Sequence, residues 1–120
     1  MSTRNDLAFL FPGQGSQSIG MLAALAERHA VVQKTFIEAS AAMGEDLWEL
    51  ASKGPESLMN RTDHTQPLML TAGVAVWRAW LEGSGAKPAK LAGHSLGEYT
   101  ALVAAGALDF GTAVELVRDR

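Results

Sequence analysis

The chain has 120 residues, 48% of them hydrophobic, with a formal net charge of -3 and no cysteine. That composition suits one compact globular domain and rules out disulfide staples, thiolate metal sites and thiol nucleophiles. The ten Lys and Arg residues form no basic stripe, so the long-range pull on phosphate backbones is missing and nucleic acid is not expected as a partner.

The opening stretch, "MSTRNDLAFLFPGQG", holds too short an apolar run for a signal-peptide core or a membrane span, so a cytoplasmic location without a membrane partner is expected. Leu7 to Phe11 reads as a strand buried on both faces and ended by the Gly-rich turn "PGQGS". A helix is expected from about Ile19 to Glu27. A second runs from Val31 to Met43, where Val32, Phe36, Ala39 and Met43 recur at helical spacing before Gly44 stops it. Asp46 to Ala51 and Pro55 to Asn60 look like short helical pieces, the second opened by Pro55 where a missing N–H costs little. Gln66 to Leu81 reads as a long apolar helix inside an α/β domain, with Pro67 in its first turn. Lys90 to Gly93 supplies another strand, Gly97 to Ala105 a helix, and Asp109 an N-cap for a last helix running into Arg120. That helix carries no stop signal, and a pair of strands is little sheet for so many helices. The expected class is α/β with an unfinished parallel sheet, completed by chain beyond Arg120.

Gly93-His94-Ser95-Leu96-Gly97 stands between a strand and a helix, the setting of a nucleophile elbow. A sharp turn strains the serine backbone and pushes its hydroxyl out of the sheet, while the flanking glycines keep side chains out of the bend. The helix start aims unpaired amides and the positive end of a dipole at the place where an attacked carbonyl gathers negative charge. The N–H of Leu96 is the natural first oxyanion donor. Because adjacent parallel strands end at the same sheet edge, the backbone N–H of Gln14 in "PGQGSQ" is the best second one. Gly13-x-Gly15-x-x-Ser18 lacks the third glycine of a dinucleotide loop, and no GK[ST] follows it.

A serine hydroxyl needs a base, usually histidine. His94 follows a strand and should aim away from Ser95, in a packing or supporting role. His29 at a helix C-terminus reads as solvent-exposed, and His64, beside Asp63 in the loop "RTDHTQP", as a turn or capping residue rather than a zinc ligand. The base is therefore expected beyond Arg120.

Taken together, "FPGQGSQ" at 11–17, "QP" at 66–67 and "GHSLGEYTALVAAGAL" at 93–108, followed by Arg120, resemble the malonyl-CoA:acyl-carrier-protein transacylases of fatty-acid synthesis over essentially the whole chain. The acyltransferase domains of polyketide synthases share both longer motifs. The resemblance implies an α/β-hydrolase-like acyltransferase subdomain of which residues 1–120 are the N-terminal portion. A ferredoxin-like small subdomain and the catalytic histidine would lie in the remainder of its own chain. It also implies a ping-pong transfer without cofactor, in which Ser95 takes malonyl from malonyl-CoA as an ester and yields it to the phosphopantetheine thiol of acyl carrier protein. On the matching positions the amides of Gln14 and Leu96 form the oxyanion hole, and Arg120 clamps the malonyl carboxylate through its planar fork. Two other readings stay open: a serine esterase or thioesterase using the same elbow, and a non-catalytic fragment that associates through unpaired strands.

Overall fold

The computed structural model describes residues 3–84 and 86–119. Strands β1, Thr3–Phe11, and β2, Lys87–Gly93, pair in parallel with Phe9 opposite Leu91 and Phe11 opposite Gly93. Between them run α1, Ala23–Arg28, α2, Ala30–Met43, α3, Leu47–Lys53, α4, Glu56–Met59, and α5, Thr62–Ser84. After β2 come α6, Leu96–Ala104, and α7, Phe110–Arg118. The class is α/β, a parallel sheet with helices around it, as the sequence pattern predicts.

Both strands outrun their apolar runs, because pairing is a backbone interaction; the added residues Thr3 to Asp6, Lys87 and Ala89 are exposed and Pro88 is buried. The expectation that β1 is buried on both faces is corrected. Its side chains alternate: Phe11 is buried and Phe9 meets Trp77 and Trp80 of α5 at ring distances of 5.3 and 5.1 Å, whereas Ala8 and Leu10 stay exposed, Leu10 at 78%.

α1 starts later than expected, since Gly20 sits at φ 77° and donates its N–H to Ala51 O, turning the chain before the helix. α2 ends where Gly44 adopts the left-handed conformation, φ 75°, and returns its N–H to Ser40 O. Asp46 and Asp109 cap α3 and α7, accepting hydrogen bonds from the N–H groups of Glu49 and Thr112.

α5 begins a turn earlier than the apolar pattern suggests, so Pro67 lies in its second turn and His64 in its first turn instead of a loop. The core gathers around this helix. Leu68, Leu70 and Val74 are fully or almost fully buried against Phe36 of α2, Leu96 of α6 and Val114 of α7. Arg78 stitches the layers together: its Nη1 donates to Thr35 Oγ1 at 3.1 Å and Glu38 Oε2 at 2.8 Å, and its guanidinium lies 5.1 Å from the Phe110 ring centre. Among the described residues, no helix is long and apolar enough to cross a membrane.

The approach of α6 to α5 depends on Gly73, where an added Cβ would stand 2.6 Å from Thr100 Cγ2 and 3.6 Å from Phe11 Cδ1. Overpacking of this kind costs roughly 1–3 kcal/mol. Urea denaturation of the full-length protein should register a loss of that size for Gly73→Ala. Adding Thr100→Ser, which removes the obstructing methyl, should recover most of it; a wild-type midpoint for the single variant would show that the helices are not that close.

Candidate active site

The end of β2, the start of α6 and the loop after β1 converge at one edge of the sheet. His94 N–H extends the pairing by donating to Phe11 O at 3.3 Å, after which the chain turns within one residue. That residue is Ser95, at φ 56° and ψ -116°, the non-glycine residue with positive φ among those described. An L-residue held there costs about 1–3 kcal/mol, a strain that persists only where the surroundings enforce it. They do. A Cβ on Gly93 would stand 1.9 Å from Gly97 O, and one on Gly97 would stand 2.0 Å from Phe11 O, so neither position admits a side chain. Gly97 N–H donates to His94 O and Glu98 N–H to Ser95 O, both at 3.0 Å, closing the turn into α6. Ser95 is exposed while Leu96 beside it is fully buried.

The loop of residues 12–18 lies directly on this bend. A Cβ on Gly13 would be 3.1 Å from His94 O, 3.7 Å from Ser95 Cβ and 3.9 Å from Leu96 N. Gln14 is exposed, and among the described residues its N–H makes no backbone hydrogen bond. Leu96, as the first residue of α6, has no intrahelical acceptor for its own N–H. The structure thus sets the loop that carries Gln14 against Ser95 and Leu96, with the N–H groups of Gln14 and Leu96 making no backbone hydrogen bond among the described residues. Arg120 lies outside the described residues.

The histidines are engaged elsewhere or open to solvent. His64, nearly buried, holds Asp63 Oδ1 with Nδ1 at 3.0 Å and Glu45 Oε2 with Nε2 at 2.7 Å, tying the start of α5 to the turn after α2. The hydrogen bond with His64 is the foremost reason that the Asp63 carboxyl sits below its ordinary range. His29 is half-buried instead of exposed, with Nδ1 3.8 Å from Glu82 Oε2. His94 is exposed, so of the packing or supporting role expected for it the packing is not seen. Among the described residues, no three His, Cys, Asp or Glu side chains group in a way that could hold a metal ion.

Sequence reasoning missed the side chains that hold the loop. Gly15 N–H donates to Gln17 Oε1 at 2.8 Å, Gln17 Nε2 donates to Asn60 Oδ1 at 2.9 Å, and Gln66 Nε2 donates to Gln14 Oε1 at 3.3 Å. Gln66 is buried, and its Oε1 has no hydrogen-bond partner among the described residues, a burial that costs about 1–3 kcal/mol.

The Acyl transferase domain family matches residues 8–120. The chain belongs to that family. Among relatives of this acyl transferase domain, the malonyl CoA-acyl carrier protein transacylase of Salmonella typhimurium is 58% identical over 115 residues, 96% of this chain and 37% of the relative. The crystal structure of malonyl-CoA:acyl carrier protein transacylase from Xanthomonas oryzae pv. oryzae superposes with a TM-score of 0.93 at 60% identity, covering 97% of this chain and 37% of that one. A malonyl-transacylase in complex with its type II PKS acyl-carrier protein gives a TM-score of 0.90 at 52% identity over 98% of this chain and 37% of that one. The chain therefore spans little more than a third of the length of the relatives it matches.

The strained conformation of Ser95 is testable by itself. Glycine accepts positive φ without penalty and alanine does not. In the full-length protein Ser95→Gly should be more stable than Ser95→Ala by about 1–3 kcal/mol, read from denaturation midpoints. Equal midpoints would mean that the bend is relaxed.

Proposed function

We propose that the protein containing this chain transfers a malonyl group from malonyl-CoA to the phosphopantetheine thiol of acyl carrier protein, with Ser95 as the residue that carries it. The observation that supports this most strongly is the strained, exposed Ser95 with Gly13 of the glutamine loop seated against it. The names borne by its relatives supply the acyl group and the carrier.

In the first half-reaction Ser95 Oγ attacks the thioester carbonyl carbon while its proton passes to a base. As the carbon becomes tetrahedral, its oxygen takes negative charge and is met by the N–H groups of Gln14 and Leu96 and by the positive end of α6. Collapse breaks the C–S bond, coenzyme A leaves as a thiol, and malonyl remains as a serine ester. In the second half the carrier thiol attacks that ester through the same oxyanion and regenerates the serine. Thioester becomes ester and then thioester again with no change of oxidation state, so the chemistry calls for no cofactor.

In this reading the base belongs to the portion of the relatives' length that this chain does not span, because both ring nitrogens of His64 are bound to carboxylates, His29 faces Glu82, and His94, leaving a strand directly before Ser95, is expected to aim away from it. The same portion would supply the ferredoxin-like small subdomain, residues 1–120 being the N-terminal part of the large one. Arg120 is the clamp for the malonyl carboxylate in this reading, its fork forming two parallel charge-assisted bonds that a monocarboxylic acyl group cannot make. The setting is the cytoplasm.

Mass spectrometry of the full-length protein after incubation with malonyl-CoA should find the malonyl adduct on Ser95 and none in Ser95→Ala; an adduct on another residue would remove Ser95 from the reaction. Arg120→Ala should lower malonyl transfer by about tenfold or more while leaving acetyl transfer nearly unchanged, the difference expected when a desolvated charge pair is broken. Equal losses for the two acyl groups would remove the arginine from the mechanism.

A further inference from the structure

The loop that offers the Gln14 N–H is held by its tethers more than by packing on its outer side. Gly15 lies at φ 111° with open space where a side chain would stand, and Gln14, Gly15 and Ser16 are all exposed. On the inner side Gly13 is seated against the elbow, 3.1 Å from His94 O at its would-be Cβ. On the far side of Gln14 the next peptide is fastened through Gly15 N–H to Gln17 Oε1. The Gln14 N–H therefore sits between an anchor made by contact and an anchor made by one side-chain amide. That amide is secured in turn: Gln17 Nε2 donates to Asn60 Oδ1, and Asn60 is the residue that caps the C-terminal end of α4.

We propose that Gln17 is a positioning residue for the oxyanion-binding N–H of Gln14, acting through Gly15 and braced by Asn60. The proposal rests on the reading of Ser95 and Gln14 given above. A single side-chain amide offers one acceptor and two donors, so Gln17 can take the loop N–H on one side and give a hydrogen to α4 on the other. Neither an aliphatic residue nor a serine could span that gap with both functions. The tie leaves no charge beside a developing oxyanion, which a glutamate here would. The Gln66 to Gln14 side-chain bond steadies the same residue from α5, but it reaches the side chain and not the peptide that flanks the donor.

Displacing a transition-state donor by a fraction of an ångström changes the rate of the chemical step more than it changes ground-state affinity. The test is single-turnover malonylation of Ser95 in the full-length protein, with active sites counted by the amplitude. For Gln17→Ala the rate constant should fall by about tenfold to a hundredfold with the KM for malonyl-CoA within about twofold of wild type. Asn60→Leu should show the same direction with a smaller drop, and Asn60→Asp, which keeps an accepting oxygen for Gln17 Nε2, should restore most of it. The double variant Gln17→Ala, Asn60→Leu should be no slower than Gln17→Ala alone, because both act through one tether. A role in folding only would lower the amplitude and the melting temperature and leave the rate constant per active site untouched; that outcome overturns the proposal. So does an Asn60→Asp variant as slow as Asn60→Leu, a comparison that holds even if Gln17→Ala does not fold. Failure of wild-type protein to malonylate Ser95 would instead overturn the functional reading and this inference with it.

Discussion

A contact between two pieces of backbone governs this structure: the start of α6 is pressed onto the end of β1 so closely that Phe11 O occupies the space a side chain on Gly97 would need. Helix and strand can meet at that distance only where the helix is bare. Because β2 is paired beside β1 and Gly93 is equally bare toward Gly97, the turn from β2 into α6 has no room to be wide. The positive φ of Ser95 follows from that crowding, since a one-residue reversal between an extended strand and a helix needs it. The hydroxyl's place is thus set by three positions that have no side chain, Gly13, Gly93 and Gly97.

Strain of this sort has to be overmatched by the rest of the fold. The packing that does so lies on the other side of the bend: Leu96 is fully buried, and α6 is locked against α5 through Gly73 and Thr100. The sequence around the serine therefore alternates in purpose. Leu96 and Thr100 face inward and supply binding energy to the core, while Ser95 and Glu98 face water. A residue after the serine that preferred the surface would loosen the helix start and let the bend relax.

The parts of this design that are local in sequence were legible in it. Gly-x-Ser-x-Gly between a strand and a helix is a steric statement about five neighbouring residues, and the Asp109 cap and the Gly44 stop are statements about a single turn. What escaped was either polar or remote. The first turn of α5, Thr62 to Thr65, carries no apolar periodicity and is held by His64 reaching back to Glu45, 19 positions earlier. The bonds from Gln17 to Asn60 and from Gln66 to Gln14 span 43 and 52 positions, and nothing about a glutamine announces which distant amide it will meet. The burial of β1 was overestimated for a related reason: an apolar pentapeptide says that both faces can be covered, not that elements within this chain cover them.

That uncovered face bears on where the chemistry is divided. Ala8, Leu10 and Ala92 point away from the helices and remain exposed, while on the helix side Phe9 and Phe11 are packed. The edge that carries Ser95 is the C-terminal end of this same half-covered sheet. Ser95 and the main-chain donors proposed for it form a unit because they depend on backbone contacts between neighbouring elements. A base depends only on a side chain reaching the right point, and can come from far along a chain whose relatives run about two and a half times this length.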